Sequence, residues 1–243
     1  MNASAQRIHQ ALEAVAELRA RREADPEMAQ ASFEIKHFQA TRFQATYGDL
    51  LKSSRYKAAT QFFLTELYGD KDYASRDQQF ARIAGTIARL FPQAVVNTAA
   101  ALAEVHALTE RLDYEMAKHW LDAEDTNPTA RYVACWRQVG DFAVRHKQLE
   151  VVLELGQSLN DLTRKPGLRT LLKMMRVPAA AAGLESLQKF LETGFDSFSA
   201  MRGAEDFLKL ISQRESEWIT ALFSSDTTAT AAKLDVLMNT FQR

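Results

Sequence analysis

Apolar positions recur three and four residues apart along nearly the whole chain, the spacing that keeps side chains on one helix face. Ile8, Leu12, Val15 and Leu18 mark a first helix over residues 4 to 24, closed by Arg19, Arg21 and Arg22, where cations suit the negative end of the helix dipole. Asp25-Pro26 reads as the cap and first residue of a second helix, with Phe33, His37, Ala40, Gln44, Tyr47 and Leu51 along its stripe. A third helix is predicted from about Ser53 to Tyr68. A fourth runs from Arg76 to Phe91 with Phe80, Ile83, Ile87 and Leu90 inward. Pro92 starts a fifth that reaches Leu121 on Leu102, Val105, Leu108, Leu112 and Met116.

Asn127-Pro128 repeats the cap-then-proline signal and opens a long sixth helix to Thr163, with Val139, Phe142, Leu149, Val152, Gly156 and Leu159 in register. Pro166 and Pro178 bracket a short helix. Leu184, Leu187, Leu191, Phe195 and Phe198 then mark another, where Gly194 allows close packing. Gly203 opens a helix on Leu208, Ile211, Glu215, Trp218, Ile219 and Leu222, a stripe interrupted by one acid. Residues 224 to 230 read as a small-polar linker, and residues 231 to 241 as a weak last helix or a frayed tail.

No stretch alternates at period two between turn residues, so no strand is predicted, and the prolines fall at helix starts. The fold expected is all-α, a single multi-helix bundle of eight to ten helices spanning residues 1 to 243. The first helix (4 to 24) and the tail (224 to 243) are expected at its periphery.

Composition narrows the classes of function. With 47% hydrophobic residues, 9 Gly and 5 Pro, the chain can bury a sizeable core. Thirty basic against thirty-one acidic residues give a net charge of -1, so no nucleic-acid partner is expected. Cys135, the one cysteine, excludes an internal disulfide and any four-cysteine zinc site, which fits a reducing cytoplasm. Residues 1 to 10 lack an apolar core, and the longest uncharged run, Leu90 to Ala103, is too short for a membrane span. The protein is expected to be neither secreted nor integral to a membrane.

The densest unusual chemistry lies between Phe62 and Asp77, where an apolar helix end enters a charged turn. Phe63 and Leu67 share a face, and Gly69 suits the left-handed position that closes a helix. Asp72 and Ser75 are placed to cap the next helix, Ser75 with Gln78 in capping-box spacing. The pattern Phe-Phe-Leu-x-x-Leu-Tyr-Gly-x-x-Asp-x-x-x-Arg-Asp resembles the hallmark of a family of uncharacterised bacterial all-helical proteins. Further similar segments are Arg55-Tyr56, Arg89 to Pro92, Leu102 to Leu108, Pro178 to Phe195 and Arg214-Glu215. The resemblance covers residues 33 to 223, with Tyr73 where phenylalanine is expected. It implies a helical fold and no reaction.

Familiar catalytic patterns are absent. A di-iron centre needs two Glu-x-x-His motifs, and only Glu34 to His37 provides one. Haem would need a histidine in an apolar cavity; His37 and His146 lie on apolar stripes and His106 beside one. His9, His106 and His146 each precede a glutamate by four residues, which favours plain surface pairing. There is no nucleophile elbow and no glycine-rich phosphate loop. No metal or other cofactor is expected.

Two clusters remain. Between Leu162 and Leu184 stand Arg164, Lys165, Arg169, Lys173 and Arg176 with no acid, opposite Leu168, Leu171, Leu172 and Met175. Such a segment can lie on an anionic membrane or bind an acidic partner, but a helix docked on the bundle with its cations in water is the reading preferred. The other set is Tyr68, Asp72, Arg76, Asp77, His106, Arg214 and Glu215. Glu215 interrupts an apolar stripe, so it needs a partner, for which arginine's planar fork is suited. The preferred reading is a structural ion-pair network joining the fourth helix to the ninth; the alternative is a pocket for a small polar or anionic ligand.

The sequence therefore points to a non-enzymatic binding or protein-interaction module, cytoplasmic, with a protein, a small ligand or a second copy as its partner in a homodimer. The rival is an enzyme or ligand-binding protein with a cavity between helices.

Overall fold

The computed structural model describes residues 3–67, 73–124 and 127–241. Among them the chain is all α-helical, without a strand. The elements are α1 (Ala3–Glu23), α2 (Pro26–Thr46), α3 (Gly48–Lys52), α4 (Lys57–Phe62), a π-helical turn (Phe63–Leu67), α5 (Ala74–Leu90) and α6 (Gln93–Asp122). There follow α7 (Pro128–Val139), α8 (Phe142–Thr163), α9 (Leu168–Met174), α10 (Arg176–Ala181), α11 (Glu185–Ala200), α12 (Glu205–Leu222) and α13 (Thr227–Phe241). Of these, α6 is the longest at 30 residues and acts as the post, packing on α1, α2, α7 and α8. One apolar core draws on residues from Ile8 to Leu234.

There are more segments than the eight to ten expected, because breaks divide what periodicity reads as continuous. The cap-and-proline starts hold: Asp25 Oδ1 accepts from the N–H groups of Glu27 and Met28, and Asn127 Oδ1 from those of Thr129 and Ala130. The expected sixth helix divides at Gly140, where Asp141 caps α8 by accepting from Ala143 N at 2.8 Å. A Cβ on Gly140 would meet the Phe223 ring at 2.3 Å, so that side chain seats itself in the break. The second helix breaks at Tyr47, and the third widens into the π turn. Ser75 does not cap: α5 begins at Ala74, and the Ser75 hydroxyl accepts instead from Gln79 Nε2 within the helix. Gly69 and Asp72 lie outside the described residues.

Some faces differ from the expected stripes. In α2 the buried residues include Ala31, Ile35, Phe38, Gln39, Arg42 and Phe43, while Phe33 is 52% exposed and His37 is also outward. This face carries an arginine and a glutamine inward, so apolar spacing alone selects the wrong side. Phe142 and Leu191 are likewise exposed. Both ends bury side chains: α1 buries Ile8, Leu12 and Val15, and of the two alternatives for the tail, a weak last helix or a frayed end, it is a helix, α13, which buries Ala231 and Leu234. Gly194 does allow close packing, since a Cβ there would stand 2.8 Å from Phe62 Cζ. Cys135 is buried, and burial pushes its thiol up to about 11, leaving little nucleophilic thiolate at neutral pH. No helix among the described residues is long and apolar enough to cross a membrane.

Candidate functional site

The π turn explains much of the Phe62 to Asp77 stretch. A widened turn leaves carbonyls poorly placed for the backbone ladder, and side chains later in the sequence take them up. Tyr73 Oη donates to Thr65 O at 2.8 Å, and Arg76 Nη1 donates to Glu66 O at 2.8 Å. The Arg76 guanidinium also lies 4.2 Å from the Tyr73 ring centre and 4.9 Å from that of Phe190. The paired phenylalanines point to opposite parts of the core. Phe62 packs on Phe190 of α11, and Phe63 sets its edge to Phe43 and Tyr47.

Asp77, next in sequence, is buried and bound from several sides. Its Oδ2 accepts from Arg19 Nη2 at 2.8 Å and lies 3.1 Å from His106 Nε2, and its Oδ1 is 3.3 Å from Arg76 Nη2. Burial opposes ionisation here, but the His106 bond and the neighbouring cations outweigh it and hold the carboxyl below its ordinary pKa. His106 is thus turned toward Asp77 rather than toward Glu110, its expected helical partner.

Along the same face of α6, Glu110 pairs with Lys36 of α2 and, at 3.3 Å, with Arg22 of α1. Burial again opposes its charge and the Lys36 ammonium prevails, so its pKa is lowered. Asp113 follows, buried, accepting from Gln39 Nε2 at 3.0 Å. There burial wins over Lys36, and the pKa is raised. Histidine and carboxylates at 106, 110 and 113 therefore form a polar seam against α1, α2 and α5. A carboxyl whose folded pKa is raised contributes stability that is fully present below its unfolded pKa and lost as pH rises through the folded value. Asp113→Asn is expected to melt a few degrees above the parent near about pH 8, with the gain shrinking near about pH 4. A variant equally destabilised at both, measured by thermal melts, would refute this assignment.

Arg214 and Glu215 serve a different place. The break at Tyr47 frees the Thr46 carbonyl, which accepts from Arg214 Nη1 at 2.9 Å, while Asp49 takes both terminal nitrogens of Arg214 at 2.7 and 2.8 Å. Inside, Glu215 Oε2 accepts from Arg42 Nη2 at 2.9 Å and Oε1 from Tyr47 Oη at 2.7 Å. Arg42 is fully buried, which disfavours its charge, yet Glu215 more than compensates and its pKa is raised. The single network expected between the fourth and ninth helices is therefore two. Arg76, Asp77 and His106 are brought together at α5 and α6, and Arg214 and Glu215 tie α12 to the joint of α2 and α3. Tyr68 and Asp72 lie outside the described residues.

Arg19, Arg22, Lys36, Arg42, Glu110 and Asp113 were not among the candidate site residues read from sequence. The 106, 110, 113 spacing on α6 and the 19, 22 spacing on α1 are the signals that point to them. Glu34 of the lone Glu-x-x-His motif accepts from Trp120 Nε1 at 2.7 Å. No cluster of three or more His, Cys, Asp or Glu suited to a metal occurs among the described residues.

The basic segment docks only in part as expected: its cations are exposed and Leu168 and Leu172 are half-buried, but other apolar residues stand in water. Arg169 and Arg176 turn to Asp196 and Glu192 of α11, and Arg164 to Glu205 of α12. The Arg176 bond holds the Glu192 carboxyl down at about 2, with Lys173 close enough to contribute. Meanwhile Met174 is 70% and Val177 77% exposed, and Leu171 and Met175 are exposed as well. Helix α9 buries no residue at all. The physical reason is the packing partner: α11 offers acids at 192 and 196, so exposed arginines pair along the edge of the contact and only Leu168 and Leu172 are half-buried.

A further open groove of about 420 Å³ lies between α1 and α6, lined by Ala14, Leu18, Ala107 and Leu108 with Glu17, Arg21 and Arg111 at its edges. No curated protein and no solved structure matches the chain significantly. Residues 18–229 match the family described as a domain of unknown function (DUF8198), a span wider than the resemblance at 33 to 223 and one that includes Arg19 and Arg22, and the chain belongs to that family.

Proposed function

We propose that this chain is a non-enzymatic docking module whose contact surface is the outer face of α9 and α10. The observation that carries the reading is the exposure of Met174 and Val177, with Leu171 and Met175 beside them, on a segment without an acid. Large apolar side chains grouped in this way mark interaction surfaces, whereas single ones do not. The polar clusters support the same reading from the other side: Asp77 and Glu215 spend their acceptor capacity on protein donors, leaving little to bind or activate a substrate. A cytoplasmic setting belongs to the proposal, supported by the lone buried thiol.

A photo-crosslinking residue at Val177 is expected to capture a partner, lipid or protein, in intact cells, while one at exposed Glu150 captures none. Equal labelling at the two positions would remove the docking reading. The rival, a ligand site in the groove of α1 and α6, would instead show as a co-purifying small molecule lost in Leu108→Glu.

A further inference from the structure

Resting on that docking reading, we propose that the occupant of the α9 and α10 face is an anionic lipid surface. The first argument is shape. The space between α9 and α11, among Arg169, Leu172, Lys173, Glu192, Phe195 and Asp196, holds only about 10 Å³, too little there to clasp a partner's side chain. Leu171, Met174 and Val177 stand outward, and protein partners are usually recognised where a pocket accepts an anchor. A lipid interface needs no such hollow, because it moulds around a protruding side chain.

Charge supplies the second argument. At 100° per residue, Thr170, Met174 and Leu171 share the outer half of α9, with Lys173 at its edge beside Glu192 of α11 and Leu168 and Leu172 on the inner half. Lys165, in the turn before α9, is exposed, and neither it nor Lys173 makes an ion pair among the described residues. An ammonium beside outward methionine and valine is the combination that places apolar groups at the acyl boundary and cations at the headgroups. The three arginines have a separate task. Bound to Glu205, Asp196 and Glu192, they pin the segment to α11 and α12, and Arg82 Nη2 holds its far end through Ala182 O at 2.7 Å and Gly183 O at 2.6 Å. The face is thus presented by a fixed scaffold and pays no helix-forming cost at the membrane.

The test is flotation of the full chain with vesicles of phosphatidylcholine alone and of phosphatidylcholine doped with phosphatidylglycerol. Binding is expected to the doped vesicles only and to weaken with salt. Lys165→Gln and Lys173→Gln should each lower partitioning about fivefold, the equivalent of about 1 kcal/mol per cation near a charged surface. Met174→Glu with Val177→Glu should lower it about tenfold or more, with circular dichroism and melting unchanged because both positions are exposed. No partitioning of the parent chain, equal binding to both vesicle types, or indifference to the Met174 and Val177 pair would each overturn the lipid proposal. If vesicles fail while Val177 crosslinks a protein, or the double variant lowers the sedimenting mass, the docking surface stands and its occupant is a protein or a second copy. If both vesicles and crosslinking fail, the docking reading falls as well.

Discussion

Glu215→Ala is expected to melt roughly 6 to 20 °C below the parent, because it leaves Arg42 charged and buried with its carboxylate gone. The Arg42 side chain is only 2% exposed, so water cannot replace the lost partner. Removing one member of such a pair costs about 3 to 5 kcal/mol, where a surface pair costs about 0 to 1. The loss reaches Tyr47, whose hydroxyl also donates to this carboxylate. Glu215→Gln should lose less, since it keeps the shape and an acceptor for Tyr47. Replacing both partners by apolar residues, Arg42→Met with Glu215→Leu, should recover much of the loss. A Glu215→Ala melt within a degree or two of the parent would show that the pair does not hold α12 to α2.

Asp77→Ala should come next, with about 2 to 4 kcal/mol lost. It strands Arg19 and Arg76 together, but their side chains are 13% and 12% exposed, and Arg76 keeps the Glu66 carbonyl, so the penalty is softened. The pH dependence separates this cluster from a passive one. Asp77 and Glu110 both have lowered pKa values, so the stability they contribute is present above the unfolded carboxyl values of about 4 and is lost as pH falls through the folded ones. The parent should therefore lose stability on acidification below about pH 4, and Asp77→Ala should lose less over the same window. Parallel melting curves for the two proteins across that window would remove Asp77 from the acid-sensitive set.

The helical class was legible because it depends only on local rules: three- and four-residue spacing, and Asp25 and Asn127 ahead of prolines. Where the sequence misled, the deciding group was remote. Phe33 looks inward by spacing, yet α2 turns Arg42 in because Glu215 waits on α12. Glu215 itself announced a buried partner, but arginines adjacent in sequence or in the hallmark stretch were the visible choices, and Arg42 was not among them. The π turn had no local signature, since its widened carbonyls are stabilised by Tyr73 and Arg76, eight and ten residues further along the chain. The outward residues of α9 are the same lesson: an amphipathic pattern says that two faces differ, but how much of the apolar face is covered depends on the remote surface of α11, which pairs its acids with exposed arginines.

The bond from Arg42 to Glu215 spans 173 residues, and α13 closes over α2 at the same end of the molecule. On the ribosome, α2 is made early and its buried arginine must remain in water until α12 has emerged. At about 5 to 20 residues per second, that is a wait of roughly ten to thirty seconds. Through this interval Phe38, Phe43 and Tyr47 lack their final cover, and the nascent chain presents an apolar face with a cation at its centre. A charge at the centre of that face is expected to keep the early helix hydrated and to discourage premature collapse until its carboxylate arrives.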